Sequence, residues 1–183
     1  MEFLLTGGTG FFGKSLLRYW LQTAIHGEQP PLVTVLSRSP ESFIERYPEF
    51  SRQNWLRFHR GDILEPSTLP VYSGFTHILH AATDSTVGPG LSPLERYTQI
   101  VEGTRHLLDY AATHHISRFL LTSSGGVYGP QPLDMDTIPE TYNGMPDPLN
   151  AQKENKRTPT LFCLFPHPSV SFPSTFANPG SLP

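Results

Sequence analysis

The stretch TGGTGFFGKS, residues 6–15, carries two overlapping glycine patterns. In one register Gly7, Gly10 and Gly13 stand three apart, the spacing of the tight turn after the first strand of a dinucleotide-binding fold. In the other, Gly8 to Gly13 followed by Lys14 and Ser15 satisfies G-x-x-x-x-G-K-[ST], the phosphate loop of ATPases and GTPases. Both turns present an anion to backbone N–H groups at a helix N-terminus. The choice between them rests on the rest of the chain.

Working outward, residues 2–6 are a short apolar run that stops at glycine, as a buried parallel strand does. From Phe12 the period changes. Phe12, Leu16, Leu17, Trp20, Leu21, Ala24 and Ile25 line one face of a helix that Gly27 and Pro30-Pro31 end. Further strands are expected at 32–36, 56–59, 76–82 and 118–122, with a weak helix at 41–47. The best helix lies between 93 and 115, with Leu94, Tyr97, Val101, Leu108 and Ala111 facing one way. Strands alternating with helices predict an α/β fold, a parallel sheet covered on both faces.

The 183 residues suit one domain with a real core. A formal charge of -3 with no basic block argues against a nucleic-acid surface. The single cysteine, Cys163, excludes an internal disulfide and a cysteine-rich zinc site, and no metal site is expected. No basic N-terminal region precedes the first apolar run, and no apolar stretch reaches the roughly 18 residues of a membrane span. The compartment expected is the cytoplasm.

A phosphate-loop enzyme also needs an aspartate at the end of a hydrophobic strand to hold magnesium. Asp62 follows Arg57, Phe58, His59, Arg60 and Gly61, and Asp84 lies beyond the expected strand end at Ala82. Neither suits that role. The dinucleotide reading gives each glycine a separate role, with Gly7 in the tight turn, Gly10 at the approach to the pyrophosphate and Gly13 where helix packs close on strand.

Five motifs then occur in order: TGGTGFFG at 6–13, RGDI at 60–63, HAAT at 80–83, VEGTRHLLDYA at 101–111 and LLTSSGGVYG at 120–129. Together they resemble the extended short-chain dehydrogenase/reductase family, the NAD-dependent epimerase/dehydratases acting mostly on nucleotide sugars. The resemblance covers residues 1–157. It implies a Rossmann-like, NAD(P)-binding domain whose cofactor meets Gly7, Gly10, Phe11, Phe12 and Gly13 in the turn. It also implies that Asp62 and Ile63 flank the adenine, that Ala81, Ala82 and Thr83 pass under the adjoining ribose and phosphate, and that Ser123 lines the site. The acid usually found about 20 residues past the turn, which holds the ribose 2'-hydroxyl, is absent. Ser37-Arg38 stand there instead, and an arginine can pair with a 2'-phosphate, which tips the cofactor from NAD toward NADP.

For catalysis the resemblance assigns Ser124, four residues before Tyr128, to the reacting sugar oxygen, and Lys156 to the lysine of a Y-x-x-x-K pair. Intact members oxidise a sugar hydroxyl and then re-reduce the ketone or eliminate water. This chain departs from them. Gln152 stands where the tyrosine belongs, and glutamine carries no proton in that role. Ile100 replaces a usual asparagine before VEGT. The expected partner is a nucleotide-sugar substrate, as in intact relatives, and a second copy of the chain is a candidate because family members often dimerise.

Residues 158–183 contain no Asp, Glu, Lys or Arg, and Pro159 falls where the helix expected from about Asn150 should continue. They are expected to be a non-native, poorly ordered tail on a C-terminally truncated domain. Two other readings remain open on the sequence: a non-catalytic NAD(P)-binding sensor or scaffold, and the phosphate-loop NTPase.

Overall fold

A computed structural model describes residues 1–72, 74–82, 92–123, 128, 131–139 and 141–142. Thr83, Ser124, Gln152, Lys156 and the proline-rich tail lie outside the described residues. Five parallel strands form one sheet in the order β3-β2-β1-β4-β5. They are β1 (Glu2–Thr6), β2 (Leu32–Ser37), β3 (Leu56–Arg60), β4 (His77–His80) and β5 (Arg118–Leu121). The helices are α1 (Phe11–Ile25) after β1, α2 (Pro40–Arg46) after β2, and α3 (Pro93–Thr113) between β4 and β5. The expected α/β architecture is the one observed.

Because successive strand residues point to opposite faces, β1 feeds two cores. Leu5, Val33, Val35 and Leu79 pack with Leu17 and Trp20 of α1 and Phe43 of α2. Leu4, Leu36 and Ile78 pack on the other face with Leu107, Tyr110 and Ala111 of α3. His77 and His80 divide the same way: the His77 ring meets Phe3, and the His80 ring meets Phe119.

Three sequence expectations need correction. β4 stops at His80 rather than at Ala82: Ala81 N–H makes the last ladder bond, to the Thr6 carbonyl, β1 then turns away at Gly7, and Ala82 N–H is left to the Thr6 hydroxyl. In α3 the buried face is Ile100, Gly103, Leu107, Tyr110 and Ala111, whereas Leu94 and Tyr97 are exposed. Length explains this. A helix of 21 residues is about 31 Å long, whereas a four-residue strand spans about 13 Å, so the first turns of α3 overhang the sheet. Its N-terminus is instead fixed locally by a capping box, in which Ser92 Oγ accepts from Glu95 N–H and the Glu95 carboxylate accepts from Ser92 N–H. Phe12 and Ile25, expected on the buried face of α1, are exposed at its two ends.

Candidate cofactor site

The strand order reverses between β1 and β4, and the glycine turn sits at the carboxyl end of β1, at that switch point. Ligands of open α/β sheets bind in this crevice. Gly7 has φ +72°, and a Cβ built on it would come within 2.3 Å of the Ala81 carbonyl oxygen and 2.6 Å of Ala82 N. A Cβ on Gly13 would fall 2.3 Å from the Gly7 oxygen. Only glycine lets the turn, the start of α1 and the Ala81-Ala82 backbone approach this closely.

Gly10 differs. It is exposed at φ -79°, and its Cβ would meet only the Gly7 oxygen, at 3.2 Å. Gly10 N–H donates to the Gly7 carbonyl and Lys14 N–H to the Gly10 carbonyl, both at 3.0 Å. Among the described residues no side chain caps α1, so its first amides lack a side-chain acceptor. With the helix dipole behind them they suit a phosphate or pyrophosphate. Phe11 and Phe12 project into solvent beside this opening. The glycine cradle and the uncapped amides fit a dinucleotide.

The phosphate-loop reading loses its two side chains. Lys14 Nζ donates to Tyr47 Oη at 3.0 Å, and Ser15 Oγ donates back to the Phe11 carbonyl at 3.0 Å. The ammonium lies 4.8 Å from the Tyr47 ring centroid, with the Arg18 and Arg46 guanidinium carbons each at 5.7 Å. The Lys14 bond holds the Tyr47 phenol below its ordinary pKa.

Beneath the turn lies a polar link between strand ends that sequence reasoning missed. Thr6 and His80 are buried, with Thr6 Oγ1 and His80 Nδ1 at 2.6 Å. His80 Nε2 meets Thr104 Oγ1 of α3 at 3.2 Å. Burial lowers the His80 pKa to about 4, so the ring is neutral. Thr6 Oγ1 also accepts from Ala82 N–H at 3.3 Å, so one hydroxyl joins the Ala82 backbone to the His80 ring. Thr122 N–H and its hydroxyl both donate to the His80 carbonyl, joining β5 to the same point. The only sequence signal was a polar residue at the end of each apolar strand.

The remaining expected residues lie along the carboxyl edge of the sheet. Ser37 ends β2, its Oγ accepting from Ser39 N–H, and Arg38 is exposed after it. Asp62 follows β3 half-buried, its Oδ1 accepting from Leu64 N–H at 3.0 Å. Ile63 is buried against Gly103 of α3, and its carbonyl lies 2.8 Å from His106 Nδ1. Ala81 and Ala82 are half-buried under Gly7, and Ser123 is exposed beyond β5. Among the described residues no three His, Cys, Asp or Glu side chains group to hold a metal, and no helix is long and apolar enough to cross a membrane.

Known proteins share this fold. The profile of the NAD dependent epimerase/dehydratase family matches residues 3–158. The chain is 32% identical over 136 residues to the dTDP-glucose 4,6-dehydratase of Streptomyces niveus, covering 72% of this chain and 40% of that protein. It is 31% identical over 133 residues to the UDP-glucose 4-epimerase of Erwinia amylovora, covering 70% of this chain and 38% of the relative. Among solved structures, the dTDP-glucose 4,6-dehydratase DesIV double mutant of Streptomyces venezuelae, with NAD and DAU bound, superposes with a TM-score of 0.63 at 27% identity. That match covers 85% of this chain and 49% of the other. The UDP-glucose 4-epimerase of Thermus thermophilus, in complex with NAD, shares the fold with a TM-score of 0.60 at 22% identity over 84% of this chain and 47% of its own. The chain thus spans about 40% of the length of these curated relatives.

Proposed function

The chain belongs to the NAD-dependent epimerase/dehydratase family, and we propose that it is the NAD(P)-binding portion of a nucleotide-sugar epimerase, dehydratase or reductase. The observation that carries this reading is the uncapped N-terminus of α1 over the Gly7–Ala81 contact at the switch point. Gly10 leaves room for the pyrophosphate, and the amides of the first turn of α1 hold its charge. The Thr6–His80–Thr104 link fixes the Ala81-Ala82 backbone that forms the floor. The adenosine half runs over β2 toward Asp62 and Ile63, and the nicotinamide half over β4 toward Ser123 and Ser124. Arg38, in place of an acidic residue, favours the 2'-phosphorylated form, NADP.

When bound, the nicotinamide accepts or donates hydride, and a protein group must move the matching proton. In this reading Ser124 and Lys156 sit at the sugar, while Gln152 gives no proton acceptor. The chain therefore binds cofactor and turns over nucleotide sugars poorly. Calorimetric titration with NAD, NADP and ATP–magnesium tests the proposal. Binding of either dinucleotide, tighter for NADP, is expected. Binding of ATP–magnesium alone overturns it.

A further inference from the structure

In the loop after β3, Glu65 N–H donates to the Asp62 carbonyl at 3.0 Å, and one hydroxyl adds a side-chain link to the same residue. Thr68 Oγ1 accepts from Asp62 N–H at 2.9 Å and donates to the Glu65 carbonyl at 2.7 Å, with the Asp62 carbonyl also 3.2 Å away. Thr68 is itself anchored: its N–H donates to the Glu65 carbonyl at 2.8 Å, and its carbonyl lies 2.9 Å from His59 Nε2. Gly61 packs so tightly beneath that a Cβ there would come within 2.5 Å of the Thr68 carbonyl oxygen. The Asp62 backbone is therefore clamped from one side by Thr68, and its carboxylate is oriented from the other by Leu64 N–H on Oδ1. Among the described residues nothing bonds Oδ2.

Asp62 stands at the carboxyl edge of β3, two strands from the turn on the side where the adenosine half of a dinucleotide runs. A carboxylate with one oxygen tied down and one unengaged is an acceptor for an amino group. A purine bearing a 6-amino group offers that donor, whereas one bearing a 6-oxo group presents an acceptor and repels it.

We infer that Thr68 is a positioning residue for cofactor specificity: its hydroxyl fixes Asp62 so that the carboxylate selects adenine by its amino group. The inference rests on the dinucleotide reading of the site. Thr68 touches no cofactor atom and acts through Asp62.

The test compares calorimetric affinity for NAD and for nicotinamide hypoxanthine dinucleotide, whose purine carries oxygen in place of the amino group. The full chain is expected to prefer NAD by about tenfold or more, the worth of a hydrogen bond to a charged group. Thr68→Val, which keeps shape and removes both bonds, is expected to bring the ratio close to one, and Thr68→Ser to restore it. Retention of the wild-type ratio in Thr68→Val, or failure of Thr68→Ser to restore it, overturns the inference. Should Thr68→Val not fold, the Asp62 amide signal of the wild-type chain decides the matter. It is expected to shift with NAD and not with the hypoxanthine analogue, and equal shifts overturn the inference. Absence of binding of either dinucleotide to the wild type is a different failure, that of the cofactor reading.

Discussion

Thr6 Oγ1 and His80 Nδ1, 74 residues apart in the chain, lie 2.6 Å from each other in a buried contact that joins the ends of β1 and β4. The neutral ring is part of that contact, so protonation opposes folding. With the folded pKa at about 4 against an ordinary 6.5, the unfolded chain takes up a proton first as pH falls. Stability from this group is complete above about pH 6.5 and is lost as pH falls toward 4, on the order of 3 kcal/mol in all. Denaturant unfolding between pH 7 and 4 checks this, and His80→Gln is expected to flatten the dependence over that interval.

The glycines of the turn separate stability from binding. Gly13→Ala places a methyl 2.3 Å from backbone and should destabilise the fold markedly, by more than about 1 kcal/mol. The Cβ of Gly10→Val would meet only the Gly7 oxygen, at 3.2 Å, a contact that a small shift relieves, so the melting temperature should fall less than in Gly13→Ala while NAD(P) binding is abolished by steric block. Thermal melts beside calorimetric titrations of the two variants distinguish the effects.

Lys14→Ala should leave dinucleotide affinity within a factor of about three, because its ammonium serves Tyr47 rather than a phosphate. The same substitution should raise the Tyr47 phenol toward its ordinary pKa, since the Lys14 bond is the main cause of its lowering. Ultraviolet phenol titration reads this directly. A large loss of nucleotide affinity in Lys14→Ala would revive the phosphate-loop reading.

Turnover offers a further check on the proposal. Losing a general acid–base group typically lowers rates on the order of 10² to 10⁴-fold. No measurable conversion of UDP-, GDP- or dTDP-sugars to epimer, keto or reduced product is expected by chromatography, and Gln152→Tyr is the substitution expected to raise any residual rate. Robust turnover by the unaltered chain would point to another proton acceptor.

The strands were legible as short apolar runs bounded by turn residues and alternating with helical stripes, whereas the glycine turn carried two readings until the other motifs stood beside it. β4 ends earlier than the sequence suggests because Ala81 and Ala82 look like strand residues, although β1 turns away at Gly7 and leaves Ala82 N–H only the Thr6 hydroxyl. Leu94 and Tyr97 fit a helical stripe, yet periodicity does not tell where the sheet beneath a helix stops. The Thr6–His80–Thr104 link, the Lys14–Tyr47 bond and the Thr68 clamp were illegible for a different reason. Their members are polar residues that become partners only after strands or helices have docked, so no spacing in the chain announces them.

The strand order also has a kinetic consequence. β2 pairs β3 from Val33 to Leu56, and β1 pairs β2 from Glu2 to Leu32, which close loops of 23 and 30 residues (56 − 33 and 32 − 2). β4 pairs β5 from His77 to Arg118, a loop of 41 (118 − 77). The β1–β4 pairing, from Phe3 to His77, spans 74 residues (77 − 3) and costs about 0.8 kcal/mol more loop entropy than β1–β2. Two half-sheets can thus assemble separately before meeting along β1 and β4, where Gly7 rests on Ala81. A ligand straddling that seam would hold the two half-sheets together, so cofactor binding is expected to slow unfolding across β1 and β4.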